Sequence, residues 1–168
     1  MTNPTTHKVA DRIAAVLLAF GACCCAQAPA RAANPHDACS LLSQSQVSAA
    51  MGLAVDPGRR PVESDPLSCN WREQGRPEGR ARNVVLYVID AGKFDSEKVR
   101  VSKTGGAQQS GIGDEAYYFR PGRLPLTLTV KKGDVYFRIM ARSNADHPSD
   151  EQDKAVDKAL ALDILRNL

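Results

Sequence analysis

Alternation of apolar and polar positions in the last third of the chain sets out its clearest architecture. Leu124, Leu126, Leu128 and Val130 share one side of an extended segment, with Thr127, Thr129 and Lys131 on the other. Val135, Phe137, Ile139 and Ala141 repeat the alternation, leaving Tyr136, Arg138 and Arg142 outside. With residues 115–119 ahead of them, segments 124–130 and 135–141 make three strands joined by two tight turns. Arg120-Pro-Gly-Arg123 puts Pro and Gly at the centre of a type II turn. In Lys131-Lys-Gly-Asp134, Gly133 supplies the positive φ of a hairpin connection. The pattern predicts an antiparallel meander with one buried face.

Other segments follow different periods. Asp37-Ala-Cys-Ser-Leu-Leu42 suggests one helical turn carrying Cys39. Ser43-x-x-Gln46 then forms a capping box ahead of Val47, Ala49, Ala50 and Met51, and Gly52 closes that helix. Segments 53–55 and 60–62 flank the turn signal Asp56-Pro-Gly58 and read as a short ribbon. Residues 67–73 read as a strand with Leu67, Cys69 and Trp71 on one side. Residues 84–89 are apolar on both faces, which predicts a central strand covered from both sides. Residues 94–101 fit a short helix presenting Phe94, Lys98 and Val101. The chain closes with a helix over about 150–165, capped by Ser149 and Gln152, with an apolar stripe of Val156, Ala159, Leu160 and Ile164. Strands and helices follow no βαβ rhythm. The expected fold is α+β: a single antiparallel sheet, including the C-terminal meander, with packed helices.

The N-terminus carries a different pattern. An apolar run from Ile13 to Cys25 follows Lys8 and Arg12 and leads into Ala28-Pro-Ala-Arg-Ala-Ala33. It is shorter than the roughly 20 apolar residues that span a bilayer, and its order is that of an export signal, with cleavage after Ala28, Ala30, Ala32 or Ala33 and Ala30-Arg-Ala32 the preferred site. Residues 1–32 are therefore read as a signal peptide and residues 33–168 as one domain. A second reading concerns Cys23: Phe20-Gly-Ala-Cys23 resembles a bacterial lipobox, in which Cys23 would be lipidated and anchor the protein. The expected location is periplasmic or secreted, or a membrane-anchored lipoprotein if Cys23 is modified.

Removing the signal changes the charge and the cysteine count. Lys8, Asp11, Arg12 and Arg31 leave with it, lowering the formal charge from +3 to +1. A nearly balanced domain lacks the basic footprint of a nucleic-acid binder. Of five cysteines two remain, Cys39 and Cys69, and in an oxidising compartment an isolated pair is most simply a disulfide. On the chain-entropy account it stabilises by roughly 3–4 kcal/mol.

Candidate chemistry is sparse. His36 falls in an N-terminal segment read as disordered, and His147 precedes Pro148 in a loop. No His/Cys cluster suits a metal or a nucleophile triad. Gly111-Ile-Gly-Asp-Glu115 precedes a strand and is not a dinucleotide loop, which opens a helix. Asp114 and Glu115 are the one adjacent carboxylate pair there, but neighbouring strand residues face opposite ways. No catalytic residue, cofactor or metal is expected. Arginine is concentrated at Arg59, Arg60, Arg72, Arg76, Arg80 and Arg82. These either form a cationic surface for an acidic protein or anionic envelope polymer, or a solvated rim balanced by Glu63, Asp65, Glu73 and Glu78.

Cys39-Ser-Leu-Leu-Ser-Gln-Ser-Gln-Val-Ser-Ala-Ala-Met-Gly52, Cys69-Asn-Trp71, Gly111-Ile-Gly-Asp-Glu-Ala-Tyr117 and Val130-Lys-Lys-Gly-Asp134 together resemble a group of exported bacterial proteins. The layout is similar to that of actinobacterial lipoproteins of unknown function, with an early Cys, a short helix ending in Gly, a Cys-x-Trp strand and a Gly-x-Gly-Asp hairpin. Phe20 departs from that pattern, since Leu is preferred there. The resemblance implies fold and disulfide, and no catalytic residue. The expectation is a monomeric, non-enzymatic binding domain for a protein or small ligand of the envelope, touching the membrane only through a lipid on Cys23. The alternative is an inhibitor or immunity-type protein against an envelope-targeting enzyme.

Overall fold

Six strands pair throughout in antiparallel fashion in the order β1-β2-β6-β5-β4-β3. The computed structural model describes residues 34–77, 79–103, 106–120, 122, 124–142 and 149–168. These lie in one unit running from Arg31 to Leu168. The strands are β1 (Ser68–Arg72), β2 (Asn83–Ile89), β3 (Ala107–Gln109), β4 (Glu115–Phe119), β5 (Thr127–Lys132) and β6 (Val135–Arg142). The helices are α1 (Ala38–Leu41), α2 (Gln44–Met51), α3 (Ala91–Lys103) and α4 (Asp150–Asn167). The fold is α+β, with one antiparallel sheet and one disulfide, as the pattern predicts.

Local signals place the helices. The Ser43 side chain accepts from the Gln46 N–H while Gln46 reaches back to Ser43, and Gly52 ends α2 in the left-handed region at φ 66°. Ser149 accepts from the Gln152 N–H at the start of α4, with Asp150, Glu151 and Asp153 in its first turn. One face of the sheet, the inner one, meets α1, α2 and α4. Trp71, Leu86, Leu128, Phe137 and Ile139 from the strands pack there with Leu41, Val47, Leu160 and Ile164. The Cys39–Cys69 disulfide, spanning 30 residues, ties α1 to this face beside Trp71.

Several expectations are corrected. The meander is buried on both sides, not one: Thr127 and Thr129 are as buried as Leu128 and Val130. The cause is α3, which runs longer than residues 94–101 and covers the outer face of β4 to β6. There Phe94 meets the rings of Tyr117 and Tyr136, and Val101 joins the same cluster. Arg138 is on the outer face, as its alternation requires, but it is sequestered in an ion pair with Glu97 of α3. Glu97, not Lys98, is the third buried position of α3; Lys98 reaches Glu115 instead.

Strand β2 lies next to the edge; Val85 and Ile89 on its outer face are buried as expected, but Tyr87 between them is exposed, so cover on that side is incomplete. Leu67 is exposed ahead of β1, and Leu124 and Leu126 precede β5. Segments 53–55 and 60–62 do not pair with each other. Val55 bridges Glu73 and Arg59 bridges Asn70, so this stretch covers the edge of β1. On α4, Ala159 is exposed, and Asp153, Asp157 and Ala161 join Val156, Leu160 and Ile164 on the buried side. His36 occupies a turn, its N–H bonded to Asn34 Oδ1.

Candidate functional site

The candidate site grows out of the edge of β1. Gly58 lies so close to the core that a Cβ there would sit 2.7 Å from the Trp71 indole and 2.8 Å from Cys69 Sγ. The backbone can press against Trp71 only without a side chain at this position. The segment that Gly58 begins then returns to the strand: Arg59 and Asn70 exchange both backbone hydrogen bonds, at 3.0 and 2.8 Å. Directly opposed residues share a face, so Arg59, Asn70 and Arg72 stand on the outer side while Cys69 and Trp71 point inward. An open recess of about 330 Å³ results, lined by Asp56, Pro57, Arg59, Arg60, Pro61, Asn70 and Arg72.

The arginine concentration divides accordingly. Arg82 grips Glu73 through both carboxylate oxygens, at 2.6 and 2.9 Å, and through its own N–H. Arg76 stands 3.5 Å from the same carboxylate. The Arg82 hydrogen bonds hold Glu73 down to about 2, against burial, which pulls the other way. Arg60 bonds Asp37 at 2.8 Å, at the N-cap of α1. Asp65 accepts from Leu67 N–H and Ser68 Oγ and so shapes the approach to β1. Part of the cluster is thus the balanced rim, with Glu73 as its anchor, and part is brought together in the recess. Glu63 and Arg80 are exposed, and Glu78 lies outside the described residues. The loop joining β1 to β2 is exposed at 74–77 and 79–80, with the Glu73–Arg82 pair across its base.

The remaining candidates have structural occupations. Asp114 accepts from the Gly133 N–H at 2.7 Å and from Lys132 at 3.0 Å, which hold its carboxyl below the usual range. It thereby pins the β5–β6 hairpin, while Glu115, on the strand itself, pairs with Lys98. The two carboxylates do not converge. Gly113, at φ 62°, passes so near β5 that a Cβ would fall 2.4 Å from the Lys131 carbonyl oxygen, which explains the glycine. Tyr117, Tyr118 and Trp71 are core residues: Tyr117 donates to the Phe94 carbonyl and Tyr118 to that of Lys154.

Asp157 is the feature that sequence reasoning missed. It is fully buried, and its Oδ1 accepts from the Ala141 N–H at 2.8 Å, fastening α4 to the end of β6. Burial pushes its carboxyl well above the carboxylate range, the Ala141 bond opposes this, and Asp153 one turn earlier adds to it. The signal was present: positions 153, 156, 157, 160, 161 and 164 follow helical spacing once Asp is admitted to the stripe. Neither acid lines the arginine recess.

Cys39 and Cys69 are bonded, and Cys23 and His147 lie outside the described residues. Among the described residues, no group of three or more His, Cys, Asp or Glu is placed to hold a metal, and no helix is long and apolar enough to cross a membrane. No protein-family model, curated protein or solved structure matches the chain.

Proposed function

We propose that this chain is an exported, non-enzymatic domain of the bacterial envelope that works by binding, through the β1 edge and the loops beside it. The observation that carries the reading is the recess where Arg59, Arg60 and Arg72 meet Asn70 beside the bridged edge of β1. Arginine forks and a side-chain amide are recognition chemistry: they offer donors in fixed geometry to carboxylates or phosphates. The export pattern of residues 1–32 and the resemblance to exported bacterial lipoproteins are in keeping with it, as is a disulfide, a bond favoured in oxidising compartments. The domain works either free in the periplasm or tethered through a lipid on Cys23, as a monomer.

A narrower reading is favoured by the loop between β1 and β2. Residues 74–77 and 79–80 are exposed while the Glu73–Arg82 clamp closes the base. A projecting loop with a fixed stem is how an inhibitor presents itself to an enzyme with little ordering cost. Such a domain would protect the envelope against an enzyme directed at it.

In-cell photocrosslinking of the full chain tests the binding reading. A photoreactive residue at Gln74 or Arg80 is expected to give a discrete adduct in the envelope fraction, and one at Asp163 on α4 none. A chain recovered in the cytoplasm, or equal labelling from both positions, would overturn it.

A further inference from the structure

The recess is the rim of a larger surface. Across the sheet, Arg59 opposes Asn70, Asn70 opposes Val85, and Val85 opposes Met140. In the next row Arg72 opposes Asn83, which opposes Arg142. Tyr87 stands one position on, opposite Arg138. Opposed residues share a face, so both rows lie on the outer side, where Arg72 and Arg142 are two strands, about 10 Å, apart. The contacts of α3 end at Arg138, Ile89 and the rings of Tyr117, Phe119 and Tyr136. Tyr87 is 37% exposed beyond that limit, and Asn70, Arg72, Asn83, Met140 and Arg142 are part-exposed. Ser68 and Val85 on this face are buried, so the half beyond α3 is a partly exposed surface of polar and arginine side chains around Tyr87.

We infer that the partly exposed outer face of β1, β2 and β6 is a docking surface for an acidic protein partner. The inference rests on the binding reading above and names the partner's chemistry. Charge complementarity is the first ground. Strands β1, β2 and β6 contain no Asp, Glu or Lys, so every formal charge they carry is an arginine. Neither Arg59 nor Arg142 has a side-chain hydrogen bond or ion pair among the described residues. Asp56 lines the recess, Asp37 is bonded to Arg60 and Glu97 to Arg138.

Composition is the second ground, and it selects a protein over a polymer or a lipid surface. Arg, Tyr and Met are enriched at protein–protein contacts while Lys and acids are depleted, and this face follows that bias. From residue 34 to residue 92 the chain has six arginines and no lysine. A solvated rim or a surface held only by long-range charge takes lysine as readily. Arg76 and Arg82 of these are taken by Glu73, while Arg59, Arg72 and, from β6, Arg142 stand on this face, where arginine can offer bidentate forks to carboxylates.

The probe is poly-L-glutamate, titrated into isotope-labelled full chain while backbone amide shifts are followed. Shifts are expected at Arg59, Asn70, Arg72, Asn83 and Arg142, and not along α4. Reversing charge with Arg59→Glu and Arg142→Glu should weaken binding at least about 100-fold, at unchanged unfolding midpoint. Arg59→Lys with Arg142→Lys keeps the charge, removes the forks, and should still weaken it about tenfold. The inference is overturned if the lysine variant binds as tightly as the parent, or if the shifts map to another face. It is equally overturned if polygalacturonate or phosphatidylglycerol vesicles occupy this face more tightly than the polypeptide. Those results would leave the crosslinking test of the binding reading untouched, whereas crosslinks missing at both Gln74 and Arg80 would sink that reading first.

Discussion

The inner and outer faces of this sheet solve the same problem with unequal means. On the inner face α1, α2 and α4 close a continuous apolar layer around Phe137, Leu128, Ile139 and Trp71, and a disulfide fastens it. On the outer face α3 contributes Phe94 and Val101 and shields β4 to β6 and the Ile89 end of β2, with the Glu97–Arg138 pair near the limit of its cover. The lesson is a division of labour. Stability is concentrated where apolar area is large, and the poorly covered half remains available for contact, as functional surfaces tend to be.

That contrast can be broken at several points. The largest effect belongs to Phe137→Ala, expected to cost about 4–5 kcal/mol in urea unfolding, against about 3 kcal/mol for Phe94→Ala in the thinner outer cluster. Equal costs would erase the distinction between the faces. Opening the disulfide with Cys39→Ala and Cys69→Ala should remove about 3–4 kcal/mol, and the loss should add to that of Phe94→Ala, whose ring lies on the opposite face. Gly58→Ala drives a methyl group against Trp71 and should cost about 1–3 kcal/mol, read from the thermal midpoint.

A fourth test uses pH. Burial raises the Asp157 carboxyl, so the folded chain holds that proton more tightly than the unfolded one. The stability it contributes is complete below about pH 4 and is lost as pH climbs toward the folded value. Asp157→Asn keeps an oxygen for the Ala141 N–H, and its advantage over the parent should grow from pH 4 upward. Glu73 runs the other way: lowered to about 2, it stabilises above about pH 4.5 and that stability is lost as pH falls. Arg82→Met should therefore flatten the acid limb alone. Smallest of all, Arg59→Ala and Arg142→Ala should move stability by no more than about 0.5 kcal/mol.

What the sequence made legible was local. The Ser43–Gln46 box, the left-handed Gly52, the β5–β6 hairpin at Gly133 and the shared face of Cys69 and Trp71 each follow from residues a few positions apart. Tertiary cover was not legible. Arg138 alternates as a solvent-facing residue, and only the arrival of Glu97 from α3 buries it. With two apolar residues among its three buried positions, α3 gives too faint a stripe to announce that it closes a second face. Asp157 was hidden for a related reason, since polar residues on a helix are read as outside unless a backbone donor waits for them. At the candidate site the clustering of arginines was visible. Which of them Glu73 would claim was not, because that depends on where the β1–β2 loop brings Arg82.

Trp71 is the one tryptophan in the chain, and it is buried against the Gly58 backbone within a few ångströms of the Cys69 sulfur. Disulfides quench indole emission at such range. The domain therefore has a built-in optical gauge of its own oxidation state: dim when oxidised and packed, brighter when the bridge is open. Its oxidation can be followed in a cuvette without any label.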